Sequence, residues 1–199
     1  DPRPDSETLI EAAVRWALRN AGKDRPLRLL DLGTGSGCLL LALLSELPKA
    51  QGIGIDINPD ALATARRNAA SLGLGDRAAF AEHSFTDDLG SLGNFGVILS
   101  NPPYIPTGEI DGLAVDVKSF DPALALDGGA DGMACWTQLL PRLAAVLALD
   151  GKAFVEIGRG QENAVIAAAE KVNLQFSDSH CDLAGVTRGL AFSIKMGNG

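Results

Sequence analysis

Positive charge is the scarcer sign in this chain: 17 Lys and Arg stand against 25 Asp and Glu, a net charge of −8. Affinity for nucleic acid that ignores sequence requires phosphate neutralisation, so stable nucleic-acid binding is not expected. Lys118, Arg142 and Arg159 are too scattered to make a basic patch. Cysteine is also sparse, with Cys38, Cys135 and Cys181 odd in number and far apart. That usage fits a reducing, cytoplasmic setting and excludes a zinc cluster, so no metal is expected. No run approaches the roughly 18 uncharged apolar residues of a membrane span, and no membrane association is expected. Histidine occurs twice, and His83 reads as a strand-end residue rather than a catalytic base. The first residues, Asp1-Pro2-Arg3-Pro4-Asp5, do not have the make-up of a signal peptide.

What is present is apolar content of 46% and 23 glycines in 199 residues, a globular composition with many tight turns. That length buries one substantial core. Leu9, Ala12, Ala13, Trp16 and Ala17 recur at helical spacing within Ser6 to Asn20, with Gly22 as C-cap. Strands are predicted at 27–31, 52–56, 78–82, 95–100, 153–157, 174–179 and 190–195. Helices are predicted at 38–47, 59–72, 135–149 and 161–171. Strands alternating with helices give an α/β fold, a parallel sheet covered on both faces. No helix separates the last two strands, so they form a hairpin at the sheet edge, with the last strand antiparallel. Ile105 to Gly132 shows no periodicity. Such a stretch serves as a lid or substrate loop, or hides a hairpin or short helix.

Asp31-Leu32-Gly33-Thr34-Gly35-Ser36-Gly37 lies where the first strand turns into a helix. Glycines there allow close backbone approach to a ligand. The spacing is G-x-G-x-G, with Cys38 and Leu40 where a dinucleotide fingerprint needs small residues, so a pyrophosphate cradle would be imperfect. Asp31 would repel a pyrophosphate but suits an ammonium. Asp56, at the end of the second strand, suits a ribose diol, or else caps the helix beginning near Pro59. An ammonium and a diol without a diphosphate describe S-adenosylmethionine better than NAD.

Asn101-Pro102-Pro103-Tyr104 follows the apolar run Val97-Ile98-Leu99. Two prolines do not continue a strand. Such a loop is either an ordinary turn or a pocket for a planar NH2 group. In the pocket reading, the Asn101 oxygen accepts one hydrogen, a carbonyl near Pro102 accepts the other, and Tyr104 stacks on the plane.

Together these motifs make the chain resemble S-adenosylmethionine-dependent methyltransferases, and closely the HemK family. The match spans nearly the whole chain. It runs through Arg3 to Leu9, Asp31 to Gly37, Gly54-Ile55-Asp56-Ile57-Asn58-Pro59 and Asn101 to Ile105. It continues through Pro122 to Leu126 with Gly128 to Gly132, Glu156-Ile157-Gly158 with Gln161, and Asp182-Leu183-Ala184-Gly185 with Arg188. The resemblance implies a Rossmann-like class I fold with a seven-stranded mixed sheet and an antiparallel last strand. It implies methylation of the side-chain amide nitrogen (N5) of the glutamine in the Gly-Gly-Gln motif of peptide-chain release factors, with S-adenosylhomocysteine as product. By the same resemblance Asn101, Pro102 and Tyr104 are catalytic. Asp31, Gly33, Thr34, Gly35, Ser36, Gly37, Asp56, Ile57, Ser84, Phe85 and Asn101 hold the cofactor. Asn101, Pro102, Pro103, Tyr104 and Arg3 meet the substrate, and a monomer is expected. Residues 1–21 would lead into a catalytic domain at 22–199, without the helical docking domain that precedes this region in the family. The sequence departs from the family at His83-Ser84-Phe85, where an acid and an aromatic are usual. Ser84, Phe85 or a backbone donor is expected to meet adenine instead.

A primary amide is a poor nucleophile, and full deprotonation is beyond any side chain here. Glu156 and Asp121 are the nearest acid–base candidates. Two other readings compete. One is transfer to an exocyclic amine of adenine or guanine, which is also a planar NH2 group. The other is a non-catalytic scaffold in translation.

Overall fold

In the computed structural model, which describes residues 4–22, 25–112 and 126–196, the glycine loop, Asp56 and Asn101–Tyr104 follow the carboxyl ends of interior strands of one sheet. The order is α1 (Pro4–Asn20), β1 (Arg28–Leu32), α2 (Cys38–Glu46), β2 (Gln51–Asp56), α3 (Pro59–Ser71), β3 (Ala78–Glu82) and β4 (Phe95–Ser100). Then follow α4 (Ala134–Val146), β5 (Leu147–Glu156), α5 (Glu162–Glu170), β6 (Leu174–Cys181) and β7 (Thr187–Ile194). The seven strands run in the order β3-β2-β1-β4-β5-β7-β6, parallel except for β7.

Side chains alternate between the faces of the central strands. Leu29, Val97, Leu99, Phe154 and Ala191 join the α1 and α2 core, which takes in Leu9, Ala13, Leu40 and Leu44. Leu30, Leu32, Ile98, Val155, Leu190 and Phe192 pack on the opposite face with Trp136, Leu139 and Leu143 of α4 and Val165 of α5. Burial on both faces is why these strands read as continuous apolar runs. Among the described residues, no helix is long and apolar enough to cross a membrane.

Two expectations change in detail, and the register of one strand pair is irregular. The helix drawn to Leu149 stops at Val146, and β5 starts at once at Leu147. The β4–β5 register slips between Phe95↔Leu147 and Val97↔Lys152 around Gly151, where a Cβ would sit 2.9 Å from the Phe95 carbonyl oxygen. The closing hairpin sits at the edge as expected, but the last strand lies inside it, between β5 and β6. Burial explains the order: Gly189 to Phe192 of β7 are buried, whereas β6 is largely exposed and polar. Its turn is built by Asp182, which accepts from the Ala184 and Val186 amides and pairs with Arg188 at 3.0 Å.

The stretch expected to lack structure is ordered at both ends. Thr107–Gly112 is a 3-10 helix, and Ile105 bridges Asp127 in parallel fashion. Asp127 accepts from the Thr107 hydroxyl at 2.7 Å and the Gly129 amide at 2.9 Å. These bonds hold its carboxyl below the ordinary carboxylate range. Hydrogen bonds between the two ends of the stretch, about 20 residues apart, hold this region without hydrophobic periodicity, so no local pattern marks it. Residues 113–125 lie outside the described residues.

Candidate active site

β1 has β2 on one side and β4 on the other, so the chain reverses its direction of travel across the sheet between β1 and β4. Ligands of open parallel sheets bind at that switch, beyond the carboxyl ends of the strands. Leu32 pairs with Ser100, so Gly33 and Asn101 are the next residues out on adjacent strands. The buried Ser100 hydroxyl ties the two ends together by donating to the Leu32 carbonyl at 2.9 Å. That residue was missed in the sequence, where a serine closing an apolar run carries no signal.

The glycine loop is built for close approach. Gly33, Gly35 and Gly37 all have positive φ, and a Cβ at Gly33 or Gly35 would meet nothing within 4 Å. The loop is therefore open outward. It is pinned from below by the Gly33 and Thr34 amides, which donate to the Ile55 carbonyl at 3.0 and 2.8 Å. Ser36 is exposed, and its carbonyl accepts from Asn68 at 2.9 Å. Asp31 is wholly buried, with Oδ2 accepting from the Thr34 hydroxyl at 2.7 Å. Its Oδ1 is buried and makes no hydrogen bond of ordinary distance and angle, although the Leu40 amide lies near enough to lower the carboxyl pKa. Burial raises the carboxyl pKa to about 6, while the Thr34 bond pulls it back down.

Asp56 does not cap α3. That role belongs to Asn58, whose side-chain oxygen accepts from the Asp60 and Ala61 amides at 2.9 and 3.4 Å. Asp56 instead accepts from the Gly35 amide through Oδ2 at 2.8 Å and from the Asn58 amide through Oδ1 at 2.9 Å. It joins the β2 end to the glycine loop and keeps further lone pairs on both oxygens. Ile57 beside it is a large apolar side chain left 48% exposed. The half-buried Ser84 accepts from the Thr86 amide at 3.1 Å, with its hydroxyl 2.7 Å from that of Thr86. Phe85 packs against the α4-side core, and His83 follows β3 with its amide on the Asp56 carbonyl at 3.1 Å.

A buried carboxylate oxygen without an ordinary hydrogen bond, an open glycine cradle, an acid with spare acceptor capacity and an exposed apolar side chain fit one kind of ligand. It carries a cation, a diol and a flat apolar group.

Across the switch, Pro102 is buried while Asn101, Pro103 and Tyr104 are half-buried. The Asn101 side chain makes no hydrogen bond to another described residue, leaving its amide available. The Tyr104 hydroxyl donates to Oε1 of Glu156, itself 1% exposed, at 3.0 Å. Glu156 thus anchors the ring and is not placed as an open acid or base. The tightness of this loop explains the Gly128–Gly132 motif. A Cβ on Gly128 would lie 2.8 and 2.9 Å from the Tyr104 backbone carbons, and one on Gly132 would lie 2.5 Å from its carbonyl oxygen. Arg3 and Asp121 lie outside the described residues.

A family profile described as a methyltransferase domain matches residues 23–147. The chain belongs to that family. Among curated proteins it is 45% identical over 194 residues to a release factor glutamine methyltransferase of Bradyrhizobium diazoefficiens, covering 96% of the chain and 63% of the relative. A protein of the same name from Rhodospirillum rubrum is 47% identical over 190 residues, covering 96% and 56%. The HemK-family resemblance drawn from the motifs is borne out by these relatives, of whose length the chain spans 63% and 56%. A crystal structure of a ribosomal protein L11 methylase from Lactobacillus delbrueckii subsp. bulgaricus shares the fold. It superimposes with a TM-score of 0.68 at 23% identity, over 98% of this chain and 81% of that one. The expected methyltransferase fold, with its seven-stranded mixed sheet and antiparallel last strand, therefore stands.

Proposed function

We propose that residues 22–199 form the catalytic domain of an S-adenosylmethionine-dependent enzyme that methylates the Gly-Gly-Gln glutamine of peptide-chain release factors. The observation that carries the reading is the Leu32–Ser100 pairing, which brings a cofactor-type glycine loop beside an asparagine whose amide bonds to no other described residue. Relatives named for this activity support the choice of substrate. The release factor is the partner, the setting is cytoplasmic, and the enzyme acts as a monomer.

In this reading Asp31 and the Gly33–Gly37 loop face the cofactor's amino-acid end, with Thr34 holding Asp31. Asp56 takes the ribose, and Ile57, Ser84 and Phe85 surround adenine. When bound there, S-adenosylmethionine would supply an electrophilic methyl group, the N–C bond forming as the S–C electron pair returns to sulfur. Asn101 Oδ1 accepts one amide N–H of the glutamine, and the carbonyl beside Pro102 accepts the other. Both bonds raise electron density on nitrogen and hold it in line with the methyl group. Tyr104 stacks on the amide plane. The proton passes to water after transfer. Positioning is worth about 7 kcal/mol or more, against roughly 3 for one preorganised hydrogen bond, so positioning dominates.

The test offers the full gene product methyl-labelled S-adenosylmethionine with a release factor or with undermodified ribosomal or transfer RNA. Mass spectrometry then locates the label. Methyl on the Gly-Gly-Gln glutamine is the expected result. Methyl on an exocyclic base amine, or no transfer at all, overturns the reading.

A further inference from the structure

Gln161 stands where three segments distant in sequence meet. Its Nε2 donates to the Tyr104 carbonyl at 3.0 Å and to the Gly132 carbonyl at 3.2 Å, while its Oε1 accepts from the Gly158 amide at 3.0 Å. Both amide hydrogens and the amide oxygen are in use. The orientation is determined by the partners, because a flipped amide would set its oxygen against two carbonyl oxygens. There is no slack around it. A Cβ on Gly158 would lie 3.0 Å from both Gln161 Oε1 and Tyr104 Cδ2, and one on Gly132 would lie 2.5 Å from Gln161 Nε2. Tyr104 is therefore held at its backbone by Gln161 and at its hydroxyl by Glu156. Two prolines leave the Asn101–Tyr104 segment short of amide donors, so no regular ladder could set its course.

We propose that Gln161 is a positioning residue for methyl transfer. It sets the path of the Asn101–Tyr104 backbone, and with it the place of the two acceptors that receive the substrate amide. The inference rests on the proposed reception of a planar amide by that loop. With its amide oxygen and both amide hydrogens bonded to backbone, Gln161 acts through the loop and not on the substrate directly. Its effect is on alignment, where a displacement of about 1 Å costs on the order of 100-fold in rate.

Tyr104 is the one tyrosine among these 199 residues, so fluorotyrosine labelling reports on the loop through the fluorine resonance that Tyr104→Phe removes. Two variants remove the donors: Gln161→Glu keeps the acceptor for Gly158, and Gln161→Met keeps only the bulk. Both are expected to shift or broaden the resonance and to lower kcat on a release factor roughly 10- to 100-fold. Cofactor affinity should stay within about threefold, because the glycine loop is tied to β2 rather than to Gln161. Gln161→Glu should regain activity relative to wild type as pH falls, since the protonated acid recovers one O–H donor, whereas Gln161→Met should not. If Gln161→Glu does not fold, Gln161→Met carries the test through its resonance and its kcat. Variants that match wild type in resonance and kcat, while wild type methylates glutamine, overturn this inference alone. A wild-type enzyme that leaves the glutamine unmodified overturns the proposed function, and the transfer role of Gln161 with it.

Discussion

The Tyr104 hydroxyl donates to the Glu156 carboxylate at 3.0 Å across 52 residues of sequence. The bond joins the loop after β4 to the end of β5, whose strands pair in parallel through Ser100↔Val155. It fixes the ring from its tip and consumes a buried acid that would otherwise look catalytic. Tyr104→Phe is expected to destabilise the fold by about 1–3 kcal/mol, the cost of removing a donor from a buried carboxylate. Urea unfolding measures it, and an unchanged midpoint would show that the bond contributes nothing.

Asn101→Ala should behave in the opposite way. The side chain bonds to no other described residue, so stability should move by no more than about 0.5 kcal/mol. Turnover on the release factor should drop by roughly 100- to 1,000-fold, with a much smaller change in cofactor affinity. Equal losses in kcat and in cofactor affinity would place Asn101 at the cofactor rather than at the attacking amide.

Asp56→Ala removes the proposed ribose acceptor and also frees the Gly35 and Asn58 amides. Cofactor affinity by calorimetry should fall by about 10- to 150-fold, equivalent to roughly 1.5–3 kcal/mol. Asp56→Asn retains an acceptor and should lose less. A folded Asp56→Ala protein with wild-type affinity would remove Asp56 from the site.

Asp31 makes both stability and binding depend on pH. Its pKa is raised from 3.8 to about 6, so the folded state holds a proton that the unfolded state has released between those values. Stability from this group is thus full below pH 3.8 and is lost as pH rises through about 6. Asp31→Asn should abolish that falling segment, worth about 3 kcal/mol at most by linkage. Thermal unfolding of both proteins across the window reads it. A cationic cofactor prefers the ionised carboxylate, so wild-type affinity should weaken as pH falls below about 6. Affinity that is flat across that range would separate Asp31 from the ligand's charge.

Gly128→Ala places a Cβ 2.8 Å from Tyr104 backbone carbon, where nothing flexible can yield. A stability loss of about 1–3 kcal/mol is expected, with a displaced fluorotyrosine resonance. An unperturbed resonance would mean that the Gly128–Gly132 turn and the Asn101–Tyr104 loop move independently.

Much of this protein is determined by local sequence. Continuous apolar runs such as Val97-Ile98-Leu99 specify strands buried on both faces, because only such strands need no polar side. Pro59 starts α3 through its fixed φ, a property of one residue, whereas the cap is Asn58 and not the Asp56 that the sequence offered. The glycine loop and the Asn-Pro-Pro-Tyr run were also legible, since each depends on what its own backbone permits. Tertiary structure alone decided the rest. The place of β7 inside the sheet followed from competition between an apolar strand and a polar one for the covered position. The duties of Glu156, Ser100 and Gln161 were settled by partners 52, 68 and 57 residues away. A hydrogen bond between such residues leaves no local pattern, because the geometry that makes it exists only once the sheet has set their strands side by side.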